Sequence, residues 1–310
     1  MWYNIIGKEV VKMKKIYIVI IVLFSLFLLA SCKKDEFKEE IKEYDNYTFY
    51  INTPYGDGER QNLNIAIPNS KQGNVGLILM IHGGGWIAGD KGVYDSELVY
   101  WCESLGYVAA AINYGYAGEG NDIYDILNDI TLSLIKIKVI AKEHNINVDK
   151  MLLTGGSAGG HLSLLYAYSK SGVSPIKPAA VVSYCGPTDM EDTNYYENNP
   201  IVEDILNMVT KMCGYNFDLE SYDKAIPFLK QSSPIYYVTK DTVPTVICHG
   251  MIDEVVPFSN AVTLDKILTA NNVEHEFVVY PNSGHGLEND PESAQKARDL
   301  MIEYANKYLN

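Results

Sequence analysis

Cysteine is scarce in this sequence. There are five in 310 residues, and Cys32, Cys102, Cys185, Cys213 and Cys248 stand far apart. None has the C-x-x-C spacing of a metal site or a dithiol, so no metal centre is expected. The four beyond Cys32 read as small, buried apolar residues. Positive charge is also short: 25 Lys and Arg against 39 Asp and Glu leave a formal net charge of −14. So acidic a chain repels a phosphate backbone, and no clustered Lys/Arg stripe reverses that locally, so nucleic acid is excluded as a partner. No apolar run reaches the roughly 20 residues of a membrane-spanning helix. There is no internal repeat and no second block of composition, which argues for one domain after the N-terminal segment. What is present, 47% apolar and 21% charged residues, suffices for a substantial core.

The N-terminus differs from the rest. Lys12, Lys14 and Lys15 precede an apolar run over 16–30, and Ser31-Cys32 follows. A basic region, a short apolar region and small residues before a cut form the pattern of a secretory signal over 1–31. An uncleaved anchor is the alternative. Leu29-Ala30-Ser31-Cys32 resembles a bacterial lipobox. That resemblance implies lipidation of Cys32, contact with a membrane only through that lipid, and Met13 as an alternative start. Lys33-Lys34-Asp35-Glu36 is either a charged tether or similar to tags that send some Bacteroidetes-type lipoproteins to the outer cell face. Otherwise a periplasmic location is implied. Residues 32–45, charged and poor in apolar side chains, are expected to be a tether to a domain over 46–310.

Within that domain, 47–51 and 63–67 are predicted as a hairpin-like pair of strands. Strands are then predicted at 76–81, 107–112, 151–154, 179–184, 243–248 and 276–280. Helices are predicted at 96–105, 123–142, 158–168, 259–270 and 294–308. This alternation predicts an α/β fold, a mostly parallel mixed sheet with helices on both faces. Residues 187–232 exceed what a crossover requires. They are expected to be a lid-like insertion over the carboxyl ends of the strands, with a helix near 202–212.

Gly155-Gly156-Ser157-Ala158-Gly159 falls where a predicted strand gives way to a predicted helix. This is the context of a nucleophile elbow, a turn so sharp that only small neighbours of Ser157 avoid collision. A serine hydroxyl needs a base. His285, in a small-residue loop after the last strand, is the candidate. The base needs an orienting carboxylate, and Asp253 after strand 243–248 is favoured, with Glu254 and Asp189 as competitors. The chain order Ser, Asp, His is that of α/β-hydrolases. His82-Gly83-Gly84-Gly85-Trp86 offers backbone N–H groups unhindered by Cβ atoms. Gly84 and Gly85, with Ala158, are the candidate oxyanion donors.

His-Gly-Gly-Gly-Trp at 82–86, Gly-Gly-Ser-Ala-Gly-Gly-His at 155–161, His-Gly-Met-Ile-Asp-Glu-Val-Val-Pro at 249–257 and Ser-Gly-His-Gly at 283–286 resemble the hormone-sensitive-lipase-like, "fold-3" branch of α/β-hydrolases. The resemblance covers roughly residues 45–310. Asn113-Tyr114 matches that branch's Asn-Tyr-Arg, but Gly115 stands where Arg is usual. The resemblance implies ester hydrolysis through an acyl-enzyme, with no cofactor, and structural roles for His82 and His161. As an exported lipoprotein, it further resembles enzymes that remove acetyl or feruloyl groups from polysaccharide. Tyr195, Tyr196, Tyr215 and Tyr222 of the insertion either stack on sugar rings or pack on one another. No long apolar lid run suggests a lipase. A peptidase or amidase on the same fold, and a non-catalytic surface binding lipoprotein, are the competing classes.

Overall fold

Two central strands are apolar without interruption. Leu77–Ile81 reads Leu-Ile-Leu-Met-Ile, Val108–Ile112 reads Val-Ala-Ala-Ala-Ile, and every residue of both is buried. A strand with no polar face must be covered on both sides. The side chains alternate accordingly. Leu77, Leu79 and Ile81 join one core cluster, while Ile78 and Met80 join the other.

The computed structural model describes residues 38–118, 120–197, 199 and 201–310. The expected signal segment 1–31, Cys32 and the start of the tether lie outside the described residues. The chain divides into Met1–Lys38 and Glu39–Asn310, and the second unit holds the fold described here.

Its strands are β1 (Glu40–Glu43), β2 (Tyr47–Pro54), β3 (Asn62–Pro68), β4 (Gly73–Asn74), β5 (Leu77–Ile81), β6 (Val108–Ile112), β7 (Ile146–Asn147), β8 (Lys150–Gly156), β9 (Lys177–Tyr184), β10 (Thr245–Gly250) and β11 (His275–Tyr280). Its helices are α1 (Asp95–Val99), α2 (Ile123–Glu143), α3 (Ala158–Ser169), α4 (Val202–Cys213), α5 (Tyr222–Gln231), α6 (Phe258–Ala270) and α7 (Pro291–Leu309). The main sheet has nine strands in the order β1-β2-β3-β6-β5-β8-β9-β10-β11. Pairing is antiparallel from β1 to β6 and parallel from β6 to β11. Apolar residues of α2, α3, α4 and α6 belong to one core cluster, and those of α1 and α7 to the other. This is the α/β-hydrolase arrangement that the motifs implied.

Local signals explain several boundaries. α2 begins at a capping box in which Asp122 accepts from the Tyr124 and Asp125 N–H groups and Asp125 answers the Asp122 N–H. α4 stops at Gly214, which takes the left-handed conformation at φ 70°.

Three features differ from expectation. Glu40–Glu43, within the segment expected to be a tether, is a strand paired antiparallel with β2. Its four residues are exposed, so backbone hydrogen bonds rather than apolar burial hold it, and composition carries no sign of that. The helix expected over 96–105 is a short α-helix that continues as a π turn, Tyr100–Ser104. The insertion holds a second helix, α5, despite Pro227 inside it. Proline ordinarily ends a helical pattern, and that concealed it. Among the described residues no helix is long and apolar enough to cross a membrane.

Candidate active site

β8 ends at Gly155-Gly156, and α3 begins at Ala158. Between them Ser157 sits at φ 54°, ψ −124°, a backbone conformation that residues with a Cβ seldom adopt. Two bonds hold it there: Ser157 N–H donates to the Tyr184 carbonyl at 2.8 Å, and His161 N–H to the Ser157 carbonyl at 3.0 Å. Gly155 and Gly159 of the elbow are sterically required. A Cβ at Gly155 would lie 2.3 Å from the Ile81 carbonyl oxygen, and one at Gly159 only 1.9 Å from it. The Ala158 N–H opens α3, where free donors and the helix dipole favour negative charge.

The glycine loop follows β5. Gly84 and Gly85 have φ of 105° and 58°, and the Ile87 and Ala88 N–H groups fold back onto the Gly84 carbonyl at 3.2 and 3.0 Å. A Cβ on Gly85 would lie 2.1 Å from Met208 Sδ, so the insertion helix α4 rests on this glycine. His161 ties the loop down. Trp86 Nε1–H donates to its Nδ1 at 3.0 Å, and its Nε2 lies 2.7 Å from the Ser232 carbonyl, to which it donates.

Of the three candidate carboxylates, Asp253 meets His285. Its Oδ2 lies 2.8 Å from His285 Nδ1, and its Oδ1 accepts from the Val255 and Val256 N–H groups, each at 2.9 Å. His249 Nε2 stands 3.4 Å from the same Oδ2 and 3.0 Å from the Val256 carbonyl. The Asp253 side chain is wholly buried. Burial pushes its pKa up, but hydrogen bonds from His249 and His285, the His285 charge and the Val256 N–H together hold it well below the ordinary carboxylate range. Asp253 is therefore an anion, able to accept a hydrogen bond from His285 Nδ1. Glu254 is exposed. Asp189 is occupied by the Glu191 N–H at 3.0 Å.

Ligand atoms of Cys185, His249 and Asp253 lie within 4.8 Å of one another. Both Asp253 oxygens are already engaged by N–H donors. Burial and the Asp253 carboxylate push the Cys185 thiol up, so it stays protonated.

Ser157 and His285 line one cleft of about 610 Å³. Its aromatic walls are Tyr94, Tyr100, Trp101, Tyr184 and Tyr280, residues that sequence reasoning did not single out. Tyr184 and Tyr280 are the last residues of β9 and β11. Attention to the carboxyl ends of the parallel strands would have found them. The insertion's tyrosines instead pack together: Tyr195 and Tyr196 are buried, Tyr215 stacks on Phe228 at 4.3 Å, and Tyr222 meets Tyr196 edge-on at 5.6 Å.

Known proteins share this architecture. The chain is similar to the probable carboxylic ester hydrolase LipM of Mycobacterium tuberculosis, at 28% identity over 61% of this chain and 44% of that protein. It thus spans about half the length of the curated relatives it matches. It also superposes on a truncated carbohydrate esterase from gut microbiota, with a TM-score of 0.69, 22% identity and coverage of 86% of this chain and 99% of the other. Esterase B of Lactobacillus rhamnosis superposes with a TM-score of 0.66, 20% identity and 96% coverage of both chains. The BD-FAE family model matches residues 63–268, and by its sequence, its fold and the geometry above the chain belongs to the BD-FAE family.

Proposed function

We propose that this protein is a serine carboxylic-ester hydrolase acting through an acyl-enzyme, with Ser157, His285 and Asp253 as its triad. One observation carries the reading: a buried Asp253 carboxylate lies 2.8 Å from Nδ1 of His285, and His285 lines the same cleft as the strained Ser157. In the reaction, His285 Nε2 takes the Ser157 hydroxyl proton as Oγ attacks the ester carbonyl. Negative charge on the carbonyl oxygen is received by the Gly84, Gly85 and Ala158 N–H groups. His285 gives its proton to the departing alcohol, and water then releases the acid by the same steps in reverse roles. Asp253 holds the imidazole in the required tautomer throughout.

The substrate is read as an acyl ester of a polysaccharide, carrying acetyl or feruloyl groups. The aromatic cleft walls support this, since flat rings pack well against tyrosine and tryptophan faces. A likeness in fold to a carbohydrate esterase agrees with it. We place the enzyme outside the cytoplasm, held to a membrane through a lipid on Cys32.

Hydrolysis of p-nitrophenyl acetate tests the chemistry. The wild type is expected to turn over and Ser157→Ala to fall by about six powers of ten; an unchanged rate in that variant would end the reading. Acetate release from acetylated xylan, set against ferulate release from arabinoxylan, decides the acyl group. Metabolic labelling with a radioactive fatty acid, lost in Cys32→Ala, tests the anchor.

A further inference from the structure

The chain has two arginines, Arg60 and Arg298. Arg60 lies in the turn between β2 and β3, outside every motif, yet its side chain reaches the glycine loop. Its Nε donates to the Tyr114 carbonyl at 2.9 Å and its Nη2 to the Gly89 carbonyl at 3.0 Å. The same Nη2 stands 3.2 Å from His82 Nε2, and the guanidinium lies 3.7 Å above the Tyr116 ring. Gly115 occupies the place where the resembled branch carries Arg, and its N–H is taken by Asp129 at 2.8 Å. Arg60 thus reaches the Tyr114 carbonyl from a different element.

A guanidinium has donors and no acceptor. His82 Nε2 must therefore accept and carry no hydrogen. The ring stays neutral, because burial, with a smaller contribution from the Arg60 charge, pushes its pKa down to about 4 against the opposing Gly83 bond. Its single N–H is then on Nδ1, which lies 2.7 Å from the Gly83 carbonyl oxygen. Stacking on Tyr114, at 4.4 Å between ring centres, holds the imidazole in plane. Gly89, at φ 106°, leaves room for this contact: a Cβ there would lie 2.4 Å from the Gly83 oxygen and 2.5 Å from His82 Nδ1.

The Gly83 carbonyl and the Gly84 N–H belong to one planar trans peptide and point to opposite sides of the chain. Pinning the carbonyl to His82 turns the Gly84 N–H away from that ring. The peptide also lies close to the elbow, since a Cβ on Gly83 would be 3.4 Å from Ser157 Cβ.

We propose that Arg60 is a positioning residue that selects the Nδ1–H tautomer of His82, so that His82 holds the Gly83 carbonyl and aims the Gly84 N–H at the developing oxyanion. This rests on the reading of the glycine loop as an oxyanion hole. Without Arg60 the ring is free to adopt the Nε2–H tautomer, whose Nδ1 lone pair repels the Gly83 oxygen and releases the peptide.

The test combines kinetics with nitrogen-15 NMR of the His82 ring in the full chain. The wild type is expected to show the proton on Nδ1, and Arg60→Ala to move it to Nε2. Loss of one oxyanion donor costs about 100- to 1000-fold in kcat. Arg60→Ala, in which the peptide is freed rather than removed, is expected to lose about 10- to 100-fold in kcat with KM changed less than twofold. Arg60→Lys, which keeps a donor, should recover most of the rate. His82→Asn, whose amide can replace the Nδ1–H donor and has no tautomers, should make the kcat insensitive to Arg60→Ala. An Nε2–H tautomer in the wild type overturns the proposal, as does an unchanged tautomer in Arg60→Ala. A tautomer switch with undiminished kcat also overturns it, by separating the loop from the chemistry. Wild-type activity in Ser157→Ala, by contrast, would defeat the esterase reading itself.

Discussion

At the scale of single residues, the site is a set of backbone conformations that only particular side chains permit. Gly159→Ala would drive a Cβ to 1.9 Å from the Ile81 carbonyl, an atom of the central sheet that has nowhere to go. Such a change is expected to cost about 3 kcal/mol or more, read as a lowered urea midpoint. Gly156→Ala is the control, because its Cβ would find nothing nearer than the Tyr184 oxygen at 3.9 Å. It should cost less than about 1 kcal/mol. The acid can be tested separately. Asp253→Asn is expected to reduce kcat by about 10⁴ through the wrong imidazole tautomer, whereas Glu254→Gln and Asp189→Asn should leave kcat within a factor of about two. A large loss in either of the latter would move the acid elsewhere. The sequence singled out Ser157 and His285 as candidates and favoured Asp253 as the acid over Glu254 and Asp189. Which carboxylate meets the ring depends on where the turns after β9 and β10 carry each side chain, and that is set by the folded chain.

At the scale of elements, the insertion packs its aromatic residues on one another as part of the core cluster it shares with α2, α3 and α6. Tyr196 packs against Tyr195, Phe217 and Tyr222 at the start of α5, and Met208 of α4 reaches the glycine loop at Gly85. Tyr196→Ala empties a buried aromatic site and is expected to destabilise by about 3–5 kcal/mol. Its KM for an acetylated xylo-oligosaccharide should stay within about twofold of the wild type once the protein is kept folded at low temperature. A selective rise in that KM, with no change for p-nitrophenyl acetate, would return these tyrosines to sugar binding. Composition alone did not distinguish the two uses, because a tyrosine that stacks on a ligand and one that stacks on a neighbour are the same residue. The strands were more legible. A two-sided apolar run such as Leu77–Ile81 has one physical solution, burial between helices. β1 was not legible, since exposed charged residues carry a strand only through backbone pairing with β2.

At the scale of the whole molecule, two buried imidazoles tie stability to pH. Burial pushes both His82 and His161 down to about 4. In the unfolded chain each takes up a proton as pH falls below its ordinary value of 6.5, whereas the folded protein keeps both neutral down to about 4. The stability they provide is therefore complete above pH 6.5 and lost as pH falls from there towards 4. A shift of this size amounts to about 3 kcal/mol for each residue. Urea unfolding at pH 7, 5.5 and 4.5 should show a steady decline, and His161→Gln should flatten part of it. A constant unfolding free energy over that range would show that neither ring is held neutral.

The residues and their order were written in the sequence alone: a sharp turn needs its glycines, a serine needs a base, and each requirement is local enough to leave a short motif. Contacts between distant segments were decided only by folding. Arg60 meets His82, 22 positions away, and the Tyr114 carbonyl, 54 away, through an arginine that no pattern marks. The aromatic wall of the cleft is likewise gathered from the 3-10 turn before α1, the π turn after it and the ends of β9 and β11. Backbone requirements act within a few residues of the chain and so leave a readable trace. Side-chain partnerships are set by the packing of whole elements, and that packing exists only in the folded molecule.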